Sequence, residues 1–453
     1  MAYRIAGREE LNFIGRRLAH YYSNVAIWID LVPACAVASK ADLVRALVPV
    51  VKRHPALRTS VLVNNDEDTH RAELRLKKSI DLASFVEFVD ADISTDATLA
   101  DFLKGLHDIF FEYSKSDEDN GQQLWKVFVG NSGTSIFFVF DHAVLDGKSG
   151  VIFLQDLVAS LKILESSSNR DSSVVDLTAP ELQYLPLDIT AQIQHVLGPR
   201  PPQIPPSPTP RAVGGFSGLM VDHAPGSHIF TTLTFSRAEY AGVMRACRSH
   251  GTTLTGYLHA AVLAALSHAI PDCKAFDTMI PVNARRFFKD QYVDKLGMDA
   301  EDLLGAYILQ IRHVTPATSE VSWDEAVLFS EHIRNALKPE SSPGWLVSTF
   351  PPETAPTADV VRSFQSKIGQ PRDFDVVISN LGTYDFPDGF VARLGFSQCA
   401  SEVMAPIKFN VVGMRGGELV VCVDATEVVP RTTVDAVVAY FKQALRDTAE
   451  SSL

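Results

Sequence analysis

Residues 199–210 are more than half proline, and this stretch limits the possible folds more than any other part of the chain. Proline lacks an amide hydrogen and locks φ, so neither a helix nor a central strand runs through it. A polar stretch opening at Ser166-Ser167-Ser168 leads toward it. The composition predicts a crossover linker over 176–215, between an N-terminal unit, 1–175, and a C-terminal unit, 216–453. At 453 residues the chain is also long for one core, which favours two domains.

In the first unit, Leu43, Val44, Leu47, Val50 and Val51 recur at helical spacing, and Pro55 ends that helix. A strand is predicted over 56–63, shorter extended pieces at 74–76 and 85–88, and a helix over 99–113. Segments 124–129 and 134–140 read as a hairpin around Asn131-Ser132-Gly133, followed by a helix over 147–164. The second unit restarts with a strand over 229–235 and helices over 237–250 and 254–269. Strands follow at 277–281, 307–314, 374–379, 409–414 and 419–423, and a helix over 432–448 closes the chain. Helices and strands mix without regular βαβ alternation, so each unit is expected to be an α+β sandwich.

The strand Phe137-Phe138-Val139-Phe140 stops at Asp141-His142, and Asp146-Gly147 follows. A strand end holds a side chain rigidly, while the loop beyond it leaves room for a ligand. Histidine titrates near neutrality, so His142 is placed to take a proton from an incoming nucleophile. Asp146 either holds the loop in shape or orients the ring. Gly147 lets the backbone turn into the helix and permits close approach of a ligand. The string His-x-x-x-Asp-Gly arises by chance in roughly one chain of this composition in twenty, so context must carry the argument. His268 and Asp272 have the same spacing, but His268 ends an alanine-rich helical run and no glycine follows Asp272.

A net charge of -13 argues against nucleic-acid or anionic-membrane partners, which demand a dominant basic face. The five cysteines are scattered and form no C-x-x-C pair, so reduced thiols and a cytoplasmic setting are expected. No apolar run reaches the roughly 18 residues of a membrane span. No zinc-ligand spacing occurs, so no metal is expected. Gly147-Lys148-Ser149 lacks the leading glycine of a phosphate loop, and Gly215-Phe216-Ser217-Gly218 is not a hydrolase elbow.

Five motifs in order carry a resemblance. Glu10 to Leu18, running on through Tyr22-Ser23-Asn24-Val25-Ala26, resembles the opening of fungal alcohol O-acetyltransferases. Arg53-His54-Pro55-Ala56-Leu57-Arg58 is similar to a segment of peptide-synthetase condensation domains. His142 to Gly147 resembles the signature of the coenzyme-A-dependent acyltransferase superfamily, which includes BAHD-type enzymes and chloramphenicol acetyltransferase. Pro281-Val282-Asn283-Ala284-Arg285 and Ser379-Asn380-Leu381-Gly382 resemble its second-domain motifs.

This resemblance implies two chloramphenicol-acetyltransferase-like sandwich domains with an active-site tunnel between them. It implies acetyl transfer from acetyl-CoA, as co-substrate, to a hydroxyl of a small apolar metabolite, with His142 as general base and no acyl-enzyme. No bound cofactor is implied. An amine acceptor, or a non-catalytic condensation-like binding module, is the alternative. Asp146 is implied to pair with Arg285 in an architectural role. Ser379 and Asn380 would serve the pantetheine or the oxyanion, or simply form a polar turn. Arg286, Lys274, Lys289 and Lys295 are candidates for the CoA phosphates or surface charges. Asp141 departs from relatives that carry a second histidine there, and no Asp-Phe-Gly-Trp segment is present. The protein is expected to act as a monomer.

Overall fold

The computed structural model describes residues 3–22, 24–63, 70–116, 122–164, 173–179, 184–192, 220–221, 228–288, 298–338, 351–352, 354–387, 389–401 and 403–452. Most of the expected linker, residues 215–218, Lys289 and Lys295 lie outside them.

In chain order come β1 (Tyr3–Ile5), α1 (Arg8–Leu18), β2 (Val25–Leu31), α2 (Lys40–Arg53), β3 (Thr59–Leu62), β4 (Glu73–Leu76), β5 (Ser79–Asp81), β6 (Val86–Phe88) and α3 (Asp96–His107). Then follow β7 (Trp125–Gly130), β8 (Ser135–Phe140), α4 (Gly147–Leu164) and β9 (Val174–Asp176). The second half holds β10 (His228–Phe235), α5 (Arg237–Ser249), α6 (Leu254–Ala269), β11 (Ala275–Asn283), β12 (Ile308–Pro316), α7 (Trp323–Ala336) and α8 (Thr357–Gln365). It ends with β13 (Val376–Tyr384), β14 (Val391–Gln398), β15 (Ile407–Met414), β16 (Leu419–Thr426) and α9 (Arg431–Glu450).

Two larger sheets organise these elements, ordered β14-β2-β8-β7-β6 and β10-β16-β15-β13-β11-β12. Every residue of β8 is buried, which is why its sequence is continuously apolar rather than alternating. It pairs antiparallel with β2 and β7, placing Phe140 opposite Val25 and Trp125 just before His142. The six-stranded sheet sorts its side chains by the two-residue period of a strand. Ile407, Phe409, Val411, Leu419, Val421 and Val423 join a core with α5, α6 and α9. The alternate positions Val377, Val412, Val420 and Cys422 pack into the core of the first sheet instead. By the same alternation Ser379 and Lys408 fall on the face between the lobes.

Local capping accounts for two departures from the sequence reading. Pro55 opens a 3-10 turn, Pro55–Arg58, so the strand predicted from 56 begins only at Thr59. The Thr95 hydroxyl accepts from the Thr98 amide, starting α3 before Leu99, and the helix ends at His107. One long-range feature stands out. β14 belongs by chain order to the C-terminal unit, yet it pairs antiparallel with β2, Gln398 opposite Val25, in the N-terminal sheet. Register and burial choose a strand's partner, and linker composition carries no information about either.

Candidate active site

β8 delivers His142 to a turn at the boundary between the lobes, where it lines a cavity of about 330 Å³. Its ring stacks on Phe13 of α1 at 3.8 Å between centroids, and Tyr22 tilts against it at 5.8 Å. Nδ1 is buried without a hydrogen-bond partner, which leaves Nε2 as the nitrogen that can meet a ligand. Burial depresses the His142 pKa to about 3, reinforced by the positive charge of Arg16 and opposed by Asp146. The imidazole is therefore neutral at physiological pH, the state a proton acceptor requires.

Asp141 shapes the turn that holds this ring. Its Oδ1 accepts from the Ala143 amide at 2.8 Å, and the Tyr113 hydroxyl donates to both carboxylate oxygens. Burial pushes the Asp141 pKa up, partly offset by Arg17 at 3.7 Å.

Asp146 turns to the other lobe. Its Oδ2 accepts from Arg285 Nη1 at 2.7 Å and from the Tyr307 amide at 3.0 Å. Its Oδ1 accepts from Arg285 Nη2 at 3.0 Å and from the Ser149 amide and hydroxyl, both at 2.8 Å. Burial disfavours the carboxylate, but Arg285 and these donors win, and the Asp146 pKa is lowered. Arg285 is equally committed, with Nε donating to the Leu303 carbonyl at 2.7 Å. The pair holds the His142 loop against the second sheet, and no hydrogen bond joins Asp146 to the imidazole.

A Cβ on Gly147 would lie 2.5 Å from Leu381 Cδ2, so the glycine admits a side chain of β13. The sequence reading reserves that space for a ligand. Ser379 lines the cavity. Asn380 lines it as well, but its amide donates to Thr255 Oγ1 at 3.1 Å and its Oδ1 accepts from the Gly382 amide at 2.9 Å. Those bonds brace an irregularity in the β13–β15 pairing between Asn380 and Thr383. Arg286 and Lys274 are exposed, and neither is among the residues lining the cavity.

The structure also brings in residues to which the sequence reading assigns no role: Phe13, Arg16, Gln398 and Lys408 all line the cavity. Phe13 and Arg16 lie inside the quoted opening motif. For Lys408 the one available signal was a lysine within an otherwise apolar strand, Ile407-Lys408-Phe409. Among the described residues no helix is long and apolar enough to cross a membrane, and no group of three or more His, Cys, Asp or Glu is arranged to hold a metal ion.

The family profile described as alcohol acetyltransferase matches residues 6–207 and 221–445. A probable alcohol acetyltransferase of Aspergillus fumigatus, crmB, is 26% identical over 338 residues, 72% of this chain and 69% of that protein. The solved trichothecene 15-O-acetyltransferase TRI3 from Fusarium sporotrichioides is similar over 98% of this chain and 95% of its own, with a TM-score of 0.62 and 12% identity. The condensation domain of the monacolin K polyketide synthase MokA gives a TM-score of 0.61 at 13% identity, covering 99% of this chain and 98% of that domain. At such identities the two structures speak for the fold alone, a two-lobed α+β architecture. The profile spans both lobes, and the chain belongs to the alcohol acetyltransferase family.

Proposed function

We propose that the protein transfers an acetyl group from acetyl-CoA to the hydroxyl of a small metabolite, with His142 as the general base. The observation that carries this reading is a neutral, rigidly stacked imidazole opening on an interlobe cavity. Nε2 takes the hydroxyl proton as the oxygen attacks the thioester carbonyl. The tetrahedral oxyanion then collapses, the carbon–sulfur bond breaks, and the departing thiolate recovers the proton from the imidazolium. The products are an ester and free CoA. Ser379, whose side chain has no hydrogen-bond partner among the described residues, is the first candidate to donate to the oxyanion. Asp146 and Arg285 keep the base in place.

The test is release of free thiol from acetyl-CoA in the presence of a panel of alcohols. His142→Ala should lower kcat by roughly 10²–10⁴-fold while leaving the melting temperature near that of the parent. Thiol release at the parent rate in a folded His142→Ala protein would sink the mechanism.

A further inference from the structure

Three buried cations line the cavity: Arg285 is paired with Asp146, whereas Arg16 and Lys408 have no carboxylate within ion-pairing distance among the described residues. Arg16 on α1 lies over the rings of Phe13 and Tyr22, its Cζ 4.6 Å from each centroid. Its Nη1 donates to Met404 Sδ at 2.6 Å, a weak acceptor, and its Nε is buried with no acceptor at all. Lys408 on β15 donates its Nζ to the Cys399 carbonyl at 2.8 Å and lies 5.3 Å from the Tyr22 ring.

The nearby acids are bonded elsewhere or make no ion pair with either cation. Asp146 is taken by Arg285. Asp424, opposite Lys408 in the β15–β16 register, accepts from the Ala400 amide and contacts His228 Nδ1. Glu9 stands two turns before Arg16 on the same helix, with both oxygens buried and unpartnered. Its pKa is raised well above the usual range, chiefly by burial and against the opposing charge of Arg16. A buried charge without a partner is costly, and here two such charges face one cavity.

We infer that Arg16 and Lys408 form a subsite for a carboxylate carried by the acyl acceptor, so that the substrate is a hydroxy acid. The inference rests on the acyl-transfer reading of His142. Phe13 ties the two functions together, since its ring stacks on the base and also carries the guanidinium. Met279, Phe396 and Met404 supply apolar wall for the carbon skeleton between acid and hydroxyl. An Arg–Lys pair suits a carboxylate because its hydrogen bonds are charge-assisted on both sides.

The experiment measures thiol release from acetyl-CoA with 3-hydroxybutyrate, 2-hydroxyisocaproate and their methyl esters. Malonyl-CoA with 1-hexanol forms a separate arm. The acids should exceed their esters in kcat/KM by about tenfold or more, carried mainly by KM. In Lys408→Met that preference should collapse, and Lys408→Arg should restore most of it. Arg16→Lys, which keeps the charge, guards against a variant that fails to fold. Equal use of acid and ester by the parent, with Lys408→Met slowing both alike, would overturn the inference: the cations would then serve charge developing in the reaction. Lys408-dependent turnover confined to malonyl-CoA with the neutral alcohol would overturn it too, by placing the carboxylate on the donor. Should no pair react, the acyl-transfer reading fails by itself. The subsite then stands if the hydroxy acids raise the melting temperature of the parent but not of Lys408→Met, and falls if they shift neither.

Discussion

His142 is held neutral by its surroundings: apolar burial and the Arg16 charge both act against the imidazolium. Asp146 shows the opposite balance, with Arg285 and backbone amides overcoming the cost of burial. Removing one charge from such a pair strands the other. Asp146→Asn should therefore cost roughly 3–5 kcal/mol of unfolding free energy, measured by urea denaturation, with lower activity alongside. Unchanged stability with collapsed activity would instead give Asp146 a chemical role. His142 and its loop were legible in the sequence because a strand end, a histidine and an Asp-Gly lie within one short segment. Arg285 was legible only through a motif resemblance. Arg16 and Lys408 were not read, because a cation's role depends on whether a counter-charge sits beside it, and that partner need not be local.

Secondary structure followed the same division. The boundaries of α4 and α6 agree with the apolar runs of their own sequences, and α6 is buried all round, every residue from Gly256 to Leu266 being enclosed. β14 went unread because Gly395 and the polar Ser397 and Gln398 interrupt its alternation. A Cβ at Gly395 would lie 2.0 Å from the Trp28 ring, so the glycine is there for an indole from a distant strand. At the start of α4 the contact between Gly147 and Leu381 makes a similar joint between the lobes. Gly147→Ala should destabilise the protein by about 1–3 kcal/mol through overpacking. Leu381→Ala in the same chain should recover part of that loss, and a double-mutant cycle on melting curves reads the coupling. Strictly additive effects would mean that the two residues do not press on one another.

Three histidines, His107, His142 and His259, are held neutral, each with its pKa depressed to about 3 chiefly by burial. Below the ordinary histidine value near 6.5, the unfolded chain takes up protons that the folded chain does not. Stability must then fall as pH drops from about 6.5 toward 3, by up to about 1.4 kcal/mol per pH unit for each histidine. Glu9 works the other way, since its raised pKa lets the folded chain bind that proton first. His107 joins distant parts of the chain through Asn24 Oδ1 at 2.7 Å and Ser397 Oγ at 2.9 Å. His107→Gln, which can bond to both, should flatten the fall in unfolding free energy between pH 6.5 and 5 by about one proton's worth. Denaturant titrations at several pH values check this, and equal slopes in parent and variant would refute it.

The mixed α+β class, the placement of a histidine at a strand end and the expectation of no nucleic-acid partner all follow from patterns that span a few residues or from bulk charge. Such patterns hold before the chain folds. The seating of β14 beside β2, the pairing of Asp146 with Arg285 and the Tyr307 amide, and the meeting of Arg16 with Lys408 in one cavity join positions more than a hundred residues apart. Those were decided by sheet register and by which faces the core could bury, and no local signal in the chain encodes them.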